Sequence, residues 1–186
     1  MLTFSRILDF QDRGTCVLFG DGAGACILSE VKSGGIASIY LGCDGSNLDL
    51  LNLPAGGSRK TATRETVDNR MHYVKMQGNE LFKIAVKTMT EAAQIALKQA
   101  ALTFEDVDLI IPHQANSRII MAVAKRLGIP EDKIYLNIEK YGNMSSASTA
   151  TALVEAVKEG RVKKGDTILL DCFGAGLVWG ACVINW

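Results

Sequence analysis

The chain has 186 residues, with 20 Lys and Arg balanced by 20 Asp and Glu, 48% hydrophobic residues, 18 Gly, 3 Pro and 2 His. A formal net charge of zero leaves no excess positive charge to neutralise a nucleic-acid backbone or an anionic membrane over a broad surface, so neither is an expected partner. A chain of this size buries roughly 70% of the surface its unfolded form exposes, so its core needs neither metal nor disulfides, and its length suits one domain or one half of something larger.

Segments rich in β-branched and apolar residues alternate with stretches of helical period, the pattern of a mostly parallel sheet with helices on its faces, hence an α/β fold. Thr15–Phe19, Ala25–Val31 and Ile36–Leu41 read as short strands, separated by the turn signals Gly20-Asp21-Gly22 and Ser33-Gly34-Gly35. From Pro54 to Asn69 the chain is polar and without apolar periodicity, and a surface loop is expected. Gly78–Gln99 carries Leu81, Phe82, Ala85, Met89, Ala92, Ala93 and Ala96 at helical steps, which predicts a helix with one broad apolar face and close packing at its alanines. Thr103 and Asp106 form a cap-like pair ahead of a buried strand over Val107–Pro112, which ends at His113. Asn116–Leu127 is a second helix, stopped by Gly128 and Pro130. Ile134–Ile138 reads as a strand and Ser146–Glu159 as a third helix, ended by Gly160; Thr167–Cys172 and Leu177–Asn185 close the chain as a strand pair.

Cys16, Cys26, Cys43, Cys172 and Cys182 are odd in number and include no C-x-x-C pair, so they read as reduced thiols. Met1–Arg13 lacks the apolar run of a secretory signal, and the uncharged stretch Cys172–Trp186 is too short and glycine-rich to span a bilayer. A cytoplasmic location is expected. The string Phe19-Gly20-Asp21-Gly22-Ala23-Gly24-Ala25-Cys26 is echoed by Phe173-Gly174-Ala175-Gly176 with Gly180-Ala181-Cys182, which hints at a duplicated fold whose second copy ends the chain and whose first copy is incomplete.

Gly20-Asp21-Gly22-Ala23-Gly24-Ala25 fits a dinucleotide-binding pattern only loosely, because β-formers follow where that motif must open a helix; a tight strand turn is the better reading. No phosphate-binding G-x-x-x-x-G-K-[ST] loop occurs, and the two histidines, His72 and His113, are too scattered to suggest a metal site. His113 stands out by position, directly after a strand and just before a helix, where open α/β folds place ligands. Gln114, Asn116 and Arg118 are its polar neighbours. Asn143, after Tyr141-Gly142 and before a helix, has a matching context, so two uncharged donors could converge; Asn143 could equally cap its helix.

The strings Phe19-Gly20-Asp21-Gly22-Ala23-Gly24-Ala25, Pro112-His113-Gln114-Ala115-Asn116, Gly142-Asn143-Met144-Ser145-Ser146-Ala147-Ser148 and Phe173-Gly174-Ala175-Gly176 with Trp179-Gly180 resemble the C-terminal half of β-ketoacyl-acyl carrier protein synthase III, in the same order and from end to end of the chain. Thiolases, chalcone synthases and hydroxymethylglutaryl-CoA synthases share that fold. The resemblance implies a thiolase-like fold of two duplicated halves. Residues 1–52 would be the final strands of the first half, 53–76 a polar connecting loop and 77–186 the second half.

It also implies an acyltransferase of fatty-acid synthesis initiation, which takes an acyl group from coenzyme A and condenses it, with decarboxylation, onto malonyl-acyl carrier protein. His113 and Asn143 match two members of the family's Cys-His-Asn triad; the nucleophilic cysteine belongs to the first half, outside this sequence, so the isolated chain is expected not to condense. Of the cysteines present, only Cys172 merits weighing as an unrelated nucleophile. The family pattern places the Ala175 backbone N–H at a second oxyanion hole and Phe173 beside the malonyl carboxylate. Asn79 and Asn116 match contacts to the pantetheine arm, and Arg13 matches the arginine that stacks on the adenine of coenzyme A. Lys83, Arg118, Lys125 and Arg126 match the basic face that docks acyl carrier protein; without the family they read as solvated helix-surface charges. No prosthetic group is implied, coenzyme A thioester being a substrate, and the intact parent is expected to be a homodimer. The competing readings are a non-catalytic half-length paralogue that binds carrier protein or a partner chain, and a related CoA-dependent condensing enzyme with another acceptor.

Overall fold

The computed structural model describes residues 3–186; Met1 and Leu2, with which the first expected unit begins, lie outside the described residues. In chain order the strands are β1 (Gly35–Cys43), β2 (Leu51–Asn52), β3 (Lys75–Met76), β4 (Leu109–Pro112), β5 (Thr167–Gly174) and β6 (Val178–Asn185). The helices are α1 (Arg64–Asp68), α2 (Gly78–Gln99), α3 (Ser117–Leu127), α4 (Ile138–Tyr141) and α5 (Ala147–Lys158). The main sheet has the order β1-β6-β5-β4, while β2 and β3 form a separate antiparallel pair.

Among the described strands of this sheet only β4 and β5 are parallel; β6 runs antiparallel to both β5 and β1, so the sheet is mixed rather than mostly parallel. Connection length explains the difference. Only Ala175–Leu177 separate β5 from β6, a link that can join antiparallel neighbours alone, whereas the parallel β4–β5 pair has the long crossover that contains α3, α4 and α5. β1 pairs along its length with the last strand of the chain, and thus lies in one sheet with β4–β6.

Side chains alternate across the sheet. On one face Ile110, Leu169, Ala181 and Val183 pack against Ala92, Ala93 and Ala96 of α2 and against Ile120 and Ala124 of α3. The three alanines are completely buried, so a larger side chain there would push the helix off the sheet. On the other face Leu109, Ile111 and Ile168 pack against Ala152 and Ala156 of α5. The result is a sheet between helical layers over β4 and β5, while Ile36, Ile39 and Leu41 of β1 stay exposed.

Three segments with strand-like composition are not strands. Thr15–Phe19 folds as turns, with a single bridge from Phe19 to Asn143. Ala25–Val31 is unpaired, with Ile27, Leu28 and Val31 exposed at 96%, 77% and 56%. Ile134 makes one bridge to Ile110 before the chain turns into α4. β-propensity favours an extended backbone, but a ladder needs a neighbour to take the N–H and C=O groups along several residues; among the described residues Thr15–Phe19 and Ile134–Ile138 each have one for a single bridge and Ala25–Val31 has none. The polar stretch before Asn69, expected to be a loop, contains α1, started by a reciprocal Thr63–Thr66 capping box.

Candidate active site

His113 is held one residue beyond β4: its backbone N–H donates to the Asp171 carbonyl at 2.7 Å, extending the parallel ladder past Pro112. The ring is 8% exposed, and its Nδ1 lies 2.6 Å from Ser148 Oγ on the first turn of α5. Burial lowers its pKa from 6.5 to about 4, because the imidazolium would be stripped of water without a carboxylate in compensation. The imidazole is therefore neutral at pH 7.

Asn143 follows α4 through Gly142, whose φ of +67° is a left-handed conformation that suits glycine. Its backbone is clamped on both sides: Asn143 N–H donates to Leu18 O at 2.8 Å, and Gly20 N–H donates to Asn143 O at 2.9 Å. Asn143 Oδ1 accepts the Ser145 N–H at 2.8 Å. Since a backbone N–H can only donate, that contact identifies the amide oxygen and leaves the NH2 group as the end without a hydrogen-bond partner among the described residues.

The glycine string Gly20–Gly24 is what lets these loops meet. A Cβ on Gly20 would lie 2.2 Å from the Tyr141 carbonyl oxygen, one on Gly22 would lie 2.5 Å from Met144 Sδ, and one on Gly24 would lie 2.4 Å from Ala150 Cβ. The string is a packing surface for the segment that carries Asn143, and no helix opens after it to receive a pyrophosphate.

His113 and Asn143 line one open cavity of about 1740 Å³ at the carboxyl ends of β4 and β5, largely apolar in its walls. Phe173 and Ala175 also line it, Phe173 buried and Ala175 exposed on the β5–β6 turn. Asn79 and Asn116 stand on its wall, and Asn116 Oδ1 caps α3 by accepting the Arg118 N–H at 2.8 Å. Lys83 and Arg118 are at its rim. Lys83 pairs with Glu80 at 2.9 Å, and the Arg118 guanidinium lies 5.8 Å above the Phe82 ring. Lys125 and Arg126 are exposed on the last turn of α3, away from the cavity. Arg13 is exposed and does not line it, although Gly14 does.

Gln114 does not join this group. It is fully buried, donates to the carbonyls of Pro112 and Tyr135 at 2.9 and 3.1 Å, and accepts the Asn137 N–H at 3.0 Å, so it fastens the end of β4 to the segment before α4. Cys172 lines the cavity, but burial pushes its thiol up to about 11, and its Sγ lies 3.4 Å from Thr149 Oγ1. A thiol so far from ionisation at neutral pH is a poor nucleophile. Asp171 is buried on the opposite face of β5, with Oδ1 unpartnered among the described residues, and burial raises its pKa well above the usual carboxylate range. Ser148 is the site residue that sequence reasoning missed; its signal was its place in the Asn143–Ser148 string, at the start of a helix facing His113.

Glu155 of α5 ties down the approach to Asn143. Its carboxylate accepts hydrogen bonds from Lys140 at 2.7 Å, from the Tyr141 hydroxyl and from Asn137 Nδ2 at 2.8 Å, and these partners hold its pKa down at about 2. Among the described residues no cluster of His, Cys, Asp and Glu could hold a metal ion, and no helix is long and apolar enough to cross a membrane.

Residues 97–186 match the family model for the C-terminal part of 3-oxoacyl-[acyl-carrier-protein] synthase III, and residues 2–45 match the model for that synthase itself. The chain is 54% identical to the β-ketoacyl-[acyl-carrier-protein] synthase III of Caldanaerobacter subterraneus over 99% of its own length and 56% of the relative's. It is 51% identical to that of Clostridioides difficile, with 99% and 56% covered. The crystal structure of the Aquifex aeolicus synthase III superposes with a TM-score of 0.87 at 43% identity, covering 98% of this chain and 55% of that one. The chain thus spans about half the length of the curated relatives it matches. Agreement of sequence and thiolase-like fold along nearly every residue leads to one conclusion: the chain belongs to the 3-oxoacyl-[acyl-carrier-protein] synthase III family.

Proposed function

We propose that this chain contributes the decarboxylating part of a condensing site, and that its parent joins an acyl-CoA primer to malonyl-acyl carrier protein to begin fatty-acid synthesis. The observation that carries this reading is the pairing, on one cavity, of a neutral imidazole with a carboxamide whose NH2 end is free. When a malonyl thioester loses carbon dioxide, the electron pair of the broken C–C bond spreads onto the thioester oxygen. Two neutral donors aimed at that oxygen stabilise the enolate and introduce no positive charge that would hold the departing carboxylate. The enolate carbon then attacks an acyl thioester on the enzyme, and the cysteine thiolate leaves.

That cysteine is supplied from outside these residues. Cys172, a thiol that lines the cavity, is held in its protonated form, and the isolated chain is inactive in condensation. The Ala175 backbone and Phe173 serve the acyl and malonyl positions, and Asn79 and Asn116 bind the pantetheine arm along the cavity wall. Lys83 and Arg118 at the rim, continued along α3 by Lys125 and Arg126, dock the acidic carrier protein, and Arg13 meets the adenine of coenzyme A. The parent works as a homodimer in the cytoplasm and needs no prosthetic group.

The test is decarboxylation of malonyl-acyl carrier protein by the complete enzyme. H113A and N143A each slow it about 10²- to 10³-fold, the usual cost of losing one oxyanion donor, while acyl transfer from coenzyme A persists. Wild-type decarboxylation in either variant would overturn the reading. Ketoacyl product from the 186-residue chain alone would overturn its inactivity.

A further inference from the structure

Burial explains why His113 is neutral, but it does not choose between the two neutral tautomers of the ring. Ser148 does. The residue is completely buried, and its Oγ has two partners among the described residues: Nδ1 of His113 at 2.6 Å and the backbone N–H of Gln114 at 3.2 Å. The Gln114 N–H can only donate, so it occupies a lone pair of the hydroxyl. The single hydroxyl proton then has one acceptor within reach, the lone pair of Nδ1. In the opposite arrangement, with Nδ1–H donating to Ser148, the hydroxyl would accept twice and its own hydrogen would be enclosed without a partner, the costly way to bury a polar group. Gln114 cannot shift to relieve this, because its side chain is fixed by the carbonyls of Pro112 and Tyr135 and by the Asn137 N–H.

We infer that Ser148 is a positioning residue that donates its hydroxyl proton to Nδ1 of His113 and so holds the ring as the Nε2–H tautomer, with its one N–H presented to the cavity that Asn143 also lines. Asn143 is oriented by the same device on the neighbouring loop, where the Ser145 N–H takes up Oδ1 and leaves the NH2 group free. Each donor of the pair thus has its acceptor atom occupied from behind by the polypeptide. The consequence for enolate stabilisation rests on the function proposed above; the tautomer itself does not.

The test is 15N NMR of the imidazole nitrogens at pH 7 on this chain, which has only two histidines. His72, whose Nε2 lies 2.9 Å from Thr66 Oγ1, is the internal control. Wild-type His113 is expected to give the shifts of one form, Nε2–H. In S148A the Nε2–H to Nδ1–H ratio falls about fivefold or more, the equivalent of the ~1 kcal/mol at the low end for an unsatisfied buried group, while the His72 signals stay in place. S148C, close in volume and a weaker donor, is expected to lower the ratio in the same direction and serves if S148A does not fold. An Nδ1–H ring in the wild type, or a ratio unchanged in the folded variants, overturns the inference. No substrate enters this assay. A ring that is Nε2–H while H113A decarboxylates normally would leave the inference standing and remove the proposed function instead.

Discussion

Replacing Gly20 by alanine tests whether the glycine string exists to seat the Asn143 loop. The new methyl would lie 2.2 Å from the Tyr141 carbonyl oxygen, a backbone atom that cannot rotate aside as a side-chain end can. The two segments must therefore part by about an ångström or more to restore ordinary contact. Parting strains the hydrogen bonds from Gly20 to Asn143 and from Asn143 to Leu18, at 2.9 and 2.8 Å. Two such bonds contribute about 0.5–1.5 kcal/mol each, and overpacking adds about 1–3 kcal/mol. Against this, Gly→Ala at a position outside the left-handed region gains only about 0.4–1 kcal/mol through the unfolded chain. The expected net loss is about 1–6 kcal/mol, centred near 3. Gly22→Ala should cost less, since its first obstacle is the Met144 sulfur, and Gly45→Ala should stay within about 0.5 kcal/mol, because nothing lies within 4 Å of the added carbon. Urea denaturation midpoints at a common slope measure all three. A G20A variant as stable as wild type, or a G45A variant as unstable as G20A, would refute the packing argument.

The remaining predictions use other groups. His113 has a folded pKa of about 4 against 6.5 unfolded, so between those values the unfolded chain binds more protons and stability falls as pH falls, by about 3 kcal/mol in all. This loss is absent in H113Q, and a wild-type minus H113Q difference that stays constant from pH 6.5 to pH 4 would show the ring is not buried neutral. Glu155→Gln weakens the hold on Lys140, Tyr141 and Asn137; amide exchange across Ile138–Asn143 should quicken about tenfold, equivalent to about 1.4 kcal/mol, and unchanged protection there would exclude the clamp. Iodoacetamide at pH 8 should modify the exposed Cys26 and Cys43 well before Cys172, whose thiol burial raises to about 11. Peptide mapping that finds Cys172 alkylated as fast as Cys26 would reopen it as a nucleophile. Finally, Ile27, Leu28 and Val31 are exposed on a segment that is unpaired among the described residues, which predicts concentration-dependent association in light scattering; a monodisperse monomer at high concentration would contradict it.

Much of the local structure was legible in the residues. The alanine-rich stripe of Gly78–Gln99 produces a helix with those same bounds, and Asn116 and Gly128 cap α3 as their types suggest. Those features depend on interactions a few residues apart. The same composition rules fail for Thr15–Phe19, Ala25–Val31 and Ile134–Ile138, because a strand is completed by a distant partner that local sequence cannot name. The four glycine, histidine, asparagine and phenylalanine strings likewise marked the family and the roles it implies, but not how each side chain is held. Gln114 stands beside His113 in the chain yet turns inward, whereas Ser148, 35 positions away, touches the ring. Sequence by itself determined which donors the chain possesses. Only the tertiary structure decided their protonation and aim, since both depend on which water is excluded and which lone pair is occupied by residues remote along the chain.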